Sequence, residues 1–327
     1  IILNELLALR TADGSRRYYY GLLTHPGGNN IAGIGFIGRP AALGYDAVPG
    51  GVGTLAHELG HNFGRLHAPC GNPGDADRAF PYANGGIGVF GYDVPAGVLK
   101  DPAREKDLMS YCSPEWISDY TYRAVLQFRL EAEPTVLGGG SADAGEALPE
   151  PSLLVWGRVG GGTAVLEPAF EITTRPSLPA EEGPYRIEGL DTGGALLFSL
   201  PFGGAPLAEV NPDERQFAFA IPERLAQTDR LARLRLVGPG VRVERRPEDP
   251  SADPVAPAAT LRRPARGEVR LEWEDGRQPM ALVRDAQTGE ILSFARDGGA
   301  ALRTPASRLE VLFSDGVRTT RRTLRIR

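Results

Sequence analysis

Three histidines and a glutamate between positions 57 and 67 have the spacing best suited to chemistry. His57 and His61 are four residues apart, so a helix places both imidazoles on one face, where they can bind a single metal ion. Glu58 follows the first histidine and can reach a metal-bound water without being a ligand. Gly64 permits the left-handed backbone that ends a helix sharply. This bend would bring His67 back to the other two histidines, so the segment predicts a three-histidine metal site.

The number and type of these ligands predict the metal and the reaction. Three histidines leave the fourth tetrahedral position of a Zn2+ ion open for water, which is typical of catalytic rather than structural zinc. Zinc lowers the pKa of its bound water to about 7. We expect Glu58 to accept that proton as the water attacks a peptide carbonyl, and then to act as proton donor.

The segment resembles the signature of the metzincin zinc peptidases, His-Glu-x-x-His-x-x-Gly-x-x-His followed by a Met-turn. Asp107–Cys112 (DLMSYC) fits that second element. The resemblance implies that Met109, which alone would suggest only a core residue, lies beneath the zinc site. It also implies that Tyr111 corresponds to the tyrosine of astacin-like and serralysin-like members, which ligates the resting metal and then assists the oxyanion; local packing is the alternative role. Ala68 follows the third histidine and leaves the subfamily open.

The stretch Ile31–Gly38 (IAGIGFIG) resembles the edge strand of reprolysin-like members, which binds extended substrate through main-chain hydrogen bonds. The residues expected to line the substrate are Ala32, Gly33, Ile34 and Gly35. The stretch also contains Gly-x-Gly-x-x-Gly, the pattern of dinucleotide-binding loops. Arg39 and Pro40 follow it where such a loop would open a helix, so we interpret it as a substrate-binding strand.

The elements that must position these residues indicate an α+β catalytic domain with a mixed sheet and an active-site helix. A helix is expected over Ile1–Arg10, strands over Arg16–Thr24 and Ile31–Gly38, and the active-site helix over about 54–63. Ser118 is a candidate N-cap for one further helix. We assign residues 1–133 to this metzincin-like domain and expect its N-terminal part to be truncated, because the stretch before the histidines is short for the family.

The rest of the chain is predicted to be all-β. Residues 134–152 are rich in Gly, Pro and Ala and resemble a linker. Short alternating runs separated by turn residues then predict a β-sandwich domain over 153–246. A Pro-rich break precedes a second, smaller β-sandwich domain over 258–327.

Cys70 and Cys112 are the only cysteines, and both flank the predicted zinc site in sequence. We interpret them as a disulfide between the loop after the active-site helix and the Met-turn; two buried free thiols are the alternative. A disulfide favours an oxidising compartment. We therefore expect a secreted or cell-surface protein whose signal peptide lies outside this chain.

Composition and loop chemistry limit the other partners. The net charge of -5 argues against a nucleic-acid surface, and no window is apolar enough for a membrane span. The loop Asn72–Asp77, together with Asp93, has oxygen ligands that could bind Ca2+, but it lacks EF-hand spacing. A solvated loop is the favoured interpretation.

The sequence therefore predicts a zinc metalloendopeptidase that acts on protein or peptide substrates. An alternative is an adhesin whose β-sandwich domains bind glycans, extracellular matrix or glycoprotein surfaces and which carries an accessory or inactive metzincin domain. Trp156, Phe202 and Trp273 could then form sugar platforms. A third hypothesis is a zinc hydrolase acting on a non-peptide amide. Substrate preference, activation and oligomeric state are not indicated.

Overall fold

The protein, described by a computed structural model, is mostly β, with several separate sheets and few helices. The chain folds into two compact units. The histidine unit comprises residues 17–146 and 205–214, and the β unit comprises residues 1–16, 147–204 and 215–327. The residues described are 2–24, 31–46, 50–132, 148–180, 182–208, 213–247, 254–265, 267–274 and 276–326.

The histidine unit contains a three-stranded mixed sheet. Its strands are β1 (Tyr19–Leu23), β2 (Gly33–Gly35) and β3 (Ala41–Tyr45), in the order β1-β3-β2. β1 runs parallel to β3, whereas β2 pairs antiparallel with β3 and forms one edge. The sequence analysis predicts β1 and β2 but not β3, because Ala-Ala-Leu-Gly-Tyr contains no β-branched residue.

Helix α2 spans Gly51–Asn62 and carries His57, Glu58 and His61. It packs against β2 and β3 at close range. A Cβ built on Gly33 would lie 2.7 Å from Cγ of Glu58, so this approach requires glycine. At the helix end, Asn62 Nδ2 donates to the carbonyls of Phe36 (3.0 Å) and Ala41 (2.9 Å). These bonds hold the helix in register against the edge strand.

The other described residues of the histidine unit form loops, short elements and one longer helix. These are the 3-10 turn Ala83–Gly85, the hairpin of β4 (Gly91–Asp93) and β5 (Val98–Lys100), the parallel pair β6 (Lys106–Asp107) and β7 (Glu115–Trp116), and helix α3 (Asp119–Ala132). The N–H of Thr121 donates to Oγ of Ser118 over 3.0 Å. Ser118 therefore caps α3, as predicted.

The β unit contains two antiparallel sheets that share one core. The elements are β8 (Glu150–Gly160), β9 (Thr163–Leu166), β10 (Phe170–Thr174), β11 (Tyr185–Leu190), β12 (Leu196–Phe202), β14 (Arg215–Pro222), β15 (Arg233–Gly238) and β16 (Val241–Arg245); β13 (Ala205–Pro206) belongs to the histidine unit. In one sheet β8 pairs with β9, β10 and β14, and the other has the order β12-β11-β15-β16. Inward residues of both sheets, such as Val155, Phe217, Ile187 and Leu234, form the core. The two sheets are sandwich-like, which agrees with the all-β character expected from the alternating strands.

A seven-stranded antiparallel sheet completes the β unit. Its strands are β17 (Ala259–Ala265), β18 (Glu268–Trp273), β19 (Met280–Asp285), β20 (Ile291–Arg296), β21 (Gly299–Arg303), β22 (Arg308–Ser314) and β23 (Thr319–Arg325). Their order is β17-β18-β21-β20-β19-β22-β23, around a core of its own that includes Leu271 and Phe313. All seven strands belong to one hydrogen-bonded sheet in the same unit as the sandwich, whereas the sequence analysis expects a separate smaller sandwich.

Helix α1 (Ile2–Ala12) belongs to the β unit, although the sequence analysis places it in the catalytic domain. Its buried face includes Leu3 and Leu7 and packs on strands β8, β10 and β14. The amphipathic pattern predicts the helix but does not identify the sheet that covers it.

Residues 134–147 of the predicted linker lie outside the described residues, and the last residues of this linker already form the start of β8. No helix in the described part of the chain is long and apolar enough to span a membrane.

Candidate metal centre

The side chains of His57, His61 and His67 converge on one point. Nε2 of His61 lies 3.2 Å from Nε2 of His57 and 3.2 Å from Nε2 of His67. All three ligand atoms lie within 4.8 Å of one another, and His61 and His67 are buried. Among the described residues this is the only group of three or more His, Cys, Asp or Glu side chains arranged in this way. The cluster could therefore bind a metal ion.

Hydrogen bonds on the far side of the rings orient the first two histidines. Nδ1 of His57 lies 2.8 Å from the carbonyl oxygen of Leu108, and Nδ1 of His61 lies 2.7 Å from that of Arg65. A carbonyl oxygen only accepts, so Nδ1 must carry the proton in both rings. Each Nε2 then presents a lone pair to the shared point, which is the tautomer that a metal requires.

Asp75 orients the third histidine. Its carboxylate contacts Nδ1 of His67 and favours the same tautomer there. A carboxylate in this position also raises the basicity of a metal-binding imidazole. The sequence analysis groups Asp75 with possible calcium ligands, and nothing in its spacing indicates a bond to a histidine eight residues earlier. With three lone pairs directed to one point, the residues present fit a zinc ion.

A tight turn after α2 brings His67 to the other two histidines. Gly64 has φ +78°, and the N–H of Arg65 donates to the carbonyl of Gly60 over 3.0 Å. The N–H of Ala68 then donates to the carbonyl of Met109 over 2.9 Å. The glycine thus allows the reversal, and the chain around residue 109 holds its far end.

Met109 lies directly against helix α2. Its side chain is completely buried, and a Cβ at Gly60 would overlap its sulfur. Gly60 is the residue before His61, so the methionine supports the helix at the turn that carries two of the three histidines. The polypeptide around it is held by Asp107, whose carboxylate accepts from the N–H of Met109 over 2.8 Å and of Ser118 over 2.9 Å.

Tyr111 lies at the rim of the cluster. Its Oη is 3.2 Å from Nε2 of His67, and 47% of the residue is exposed. The hydroxyl is therefore close to the point on which the histidines converge, and the ring lies against those of His57 and His67. The N–H of Tyr111 donates to the carbonyl of Cys70 over 3.0 Å.

Cys70 and Cys112 form a disulfide, with their Cα atoms 5.8 Å apart. The predicted pairing is confirmed, and the alternative of two free thiols is wrong. The bridge joins the loop that follows His67 to the residue after Tyr111. It therefore covalently links the segments that place His67 and Tyr111 beside each other.

Glu58 lies beside the edge strand and next to the cluster. It is 2% exposed, and its carboxylate packs against Gly33 and Gly35. Of the other two residues expected to line a substrate, Ile34 lies within β2 and Ala32 lies just before it and is exposed.

A pocket of about 290 Å³ opens beside Glu58. Its lining comprises Ala32, Gly33, Gly53, Thr54, His57, Glu58, Leu108, Ser110, Tyr111 and Glu115. This volume is just below the usual range for small-molecule sites, about 300–1,000 Å³. The pocket lies next to the histidine cluster, with residues of the edge strand on one side and the chain around Tyr111 on the other.

Tyr20 is a neighbour of Glu58 that the sequence analysis missed. Its hydroxyl is buried without a hydrogen-bond partner among the described residues, and it fills the space over Gly44, the partner of Gly33 across the sheet. Burial raises the pKa of Tyr20 to about 12, and the nearby Glu58 carboxylate adds to the shift. Tyr18, Tyr19 and Tyr20 are consecutive, and nothing in the sequence indicates which of them faces the helix.

The carboxylates considered for calcium have other partners. Asp77 accepts from Nη2 of Arg65 over 3.2 Å and from the hydroxyl of Tyr120 over 2.9 Å. Asp93 lies 3.6 Å from Nζ of Lys100. These residues and Asp75 form no cluster comparable to the histidines among the described residues. The structure therefore does not support the calcium interpretation of the loop.

The aromatic residues considered as sugar platforms lie in the cores of the β unit. Trp156 is 0% exposed, Phe202 is 1% exposed and Trp273 is 7% exposed. A stacking platform must present a ring face to solvent, so none of these three can act as one without unfolding.

The predicted metal and proton-transfer residues thus lie together in the histidine unit, with Met109 and Tyr111 beside them. Comparison of the sequence with models of protein families and with curated proteins finds no match to either.

Proposed function

We propose that the protein is a zinc-dependent metallopeptidase of the metzincin type, acting on protein or peptide substrates. The observation that carries the proposal is the convergence of three imidazole Nε2 atoms beside a buried carboxylate and an open pocket. Histidine nitrogens suit zinc, whereas Mg2+ and Ca2+ prefer oxygen ligands. The ligands would be His57, His61 and His67.

Each nearby side chain has a role in peptide hydrolysis. When bound, zinc supplies the positive charge that lowers the pKa of water and polarises the scissile carbonyl. Glu58 accepts the proton of the attacking water and returns it to the leaving amine. Tyr111 donates a hydrogen bond from Oη to the oxygen that gains negative charge.

The edge strand supports a peptide as the substrate. β2 is antiparallel to its neighbour and lies at the edge of the sheet, with Gly33 against Glu58. An extended peptide added to this edge would pass next to the carboxylate, and main-chain hydrogen bonds would hold it there. A small non-peptide amide would make no use of this edge, so the peptide is the favoured substrate.

The metzincin assignment and the location rest on further features. Met109 packs against helix α2 at Gly60, and Tyr111 lies beside His67 at the rim of the histidine cluster, as the family resemblance implies. The Cys70–Cys112 disulfide favours an oxidising compartment, so we assign the protein to the exterior or the surface of the cell.

Cleavage of a proteome-derived peptide library by the zinc-loaded protein tests this function. We expect cuts at peptide bonds that stop when a chelator is added and return with added zinc. If the folded, zinc-loaded protein leaves every peptide intact, the proposal is wrong. Hydrolysis of small acyl amides in that case would instead support the non-peptide hydrolase.

A further inference from the structure

The two sides of strand β2 have different partners. The carbonyl of Ala32 accepts from the N–H of Tyr45 over 3.3 Å, and the N–H of Phe36 donates to the carbonyl of Ala41 over 3.1 Å. Residues 32 and 36 therefore turn their main chain toward β3. Because main-chain groups alternate along a strand, residues 33, 35 and 37 turn theirs toward the outer edge.

A segment of the same chain, Ala205–Ala208, already pairs with part of this outer edge. The N–H of Ile37 donates to the carbonyl of Pro206 over 3.2 Å, and the N–H of Ala208 donates to the carbonyl of Gly35 over 2.9 Å. Phe36 and Leu207 form the antiparallel bridge between these bonds. The main-chain positions from Gly35 to Ile37 are thus occupied.

The segment is packed in place and is not loosely attached. Ala208 is 0% exposed and Leu207 is 7% exposed. Along the chain the segment lies between β12 and β14, which belong to the β unit, yet residues 205–214 belong to the histidine unit. A segment that lies between two strands of the β unit in sequence therefore occupies one end of the edge on which the proposed substrate would lie.

The described part of the segment pairs with β2 as far as Gly35, which lies close to the histidine cluster. A Cβ built on Gly35 would lie 3.3 Å from Cβ of His61 and 2.9 Å from the carbonyl oxygen of Glu58. The pocket beside Glu58 is lined by Ala32 and Gly33 but by no residue of the segment. Among the described residues, the outer edge is therefore open toward Gly33 and occupied from Gly35 onward.

We propose that Ala205–Ala208 determines substrate specificity by ending main-chain recognition at Gly35 on one side of the scissile bond. This inference rests on the proposed peptidase function. A bound peptide would form strand hydrogen bonds along the open end only, and its residues beyond Gly35 would turn away from the sheet. If the peptide runs antiparallel to β2, as the segment does, the unrecognised residues lie on the amino side of the bond that is cut.

Nested peptide substrates test this inference on the wild-type protein. One cleaved sequence is extended residue by residue at either end, and kcat/KM is measured for each length. We expect extension along the open end of β2, the carboxyl side of an antiparallel peptide, to raise kcat/KM by about tenfold over two residues, since each strand hydrogen bond contributes modestly. Extension toward the occupied end, the amino side of such a peptide, should change kcat/KM by less than about twofold beyond the first residues. Equal gains on both sides would overturn the inference.

The variant Leu207→Asp provides the second arm. A buried carboxylate should detach the segment, so extension on the unresponsive side should then raise kcat/KM about tenfold. Leu196→Asp is the matched control, because Leu196 is 56% exposed and lies on β12. Zinc content and circular dichroism check that both variants fold. If Leu207→Asp does not fold, the wild-type series still decides the question, and cleavage of no peptide at all would overturn the peptidase function instead.

Discussion

Replacing Glu58 by glutamine should reduce peptide hydrolysis by about 10²–10⁴-fold, the usual contribution of a general acid–base group. Zinc binding should not weaken, because Glu58 is not one of the three converging ligands. The amide has the shape of the carboxylate and fits the same space against Gly33 and Gly35. The measurements are kcat/KM on one peptide and the zinc content of the purified variant.

The same substitution has a second readout that does not depend on activity. The Glu58 carboxylate contributes to the pKa of Tyr20, which burial raises to about 12. The zinc-free Glu58→Gln variant should therefore titrate Tyr20 at a lower pH, seen in the ultraviolet absorbance of tyrosinate. The folded-state pKa exceeds the unfolded value, so Tyr20 favours folding fully below pH 10 and this stabilisation is lost as the pH rises toward 12. In the Glu58→Gln variant the pKa of Tyr20 should lie closer to 10, so this stabilisation should be lost over a narrower pH range.

Glu131→Gln is the matched control for Glu58. Glu131 is exposed on α3, and its carboxylate accepts from Gln127 within the same helix. Its replacement should change neither kcat/KM nor the tyrosine titration. Full activity in Glu58→Gln would refute the assigned role of Glu58, whatever the zinc content.

Removing the disulfide should be the largest change in stability. The cysteines are 42 residues apart, and closing a loop of this length restricts the unfolded chain by about 4 kcal/mol. The double variant Cys70→Ala with Cys112→Ala should lose about that much in the histidine unit. It should also bind zinc more weakly, because the bridge joins the loop after His67 to the residue next to Tyr111.

Two measurements test this effect. One is the zinc affinity, and the other is urea unfolding, followed by a spectroscopic signal that comes from the histidine unit. The β unit contains no cysteine and should unfold at the same urea concentration in both proteins, so it serves as an internal control. An unchanged transition of the histidine unit would contradict the stabilising role of the bridge.

The convergence of the three histidines was predictable from the sequence because most of its geometry is local. One turn of helix places His57 and His61 together, and one glycine returns the chain to His67. The disulfide was predictable because both cysteines flank the same site in sequence. Helix α1 and most strands of the β unit followed from hydrophobic periodicity, which depends only on near neighbours.

The features that the sequence analysis missed depend on distant pairing. Strand β3 has weak β propensity and exists because β1 and β2 pair on either side of it. Tyr20 reaches Glu58 only through the fold of that sheet. The role of Asp75 requires the loop after His67 to turn back on the histidine. Ala205–Ala208 comes from more than 160 residues beyond its partner strand, and no local pattern could indicate this.

X-ray absorption at the zinc edge of the zinc-loaded protein tests the central claim most directly. The account predicts one zinc ion per chain with three imidazole nitrogens at about 2.0–2.1 Å and one further light atom, the open position of a catalytic site. A sulfur shell at about 2.3 Å, or zinc bound without histidine scattering, would contradict it.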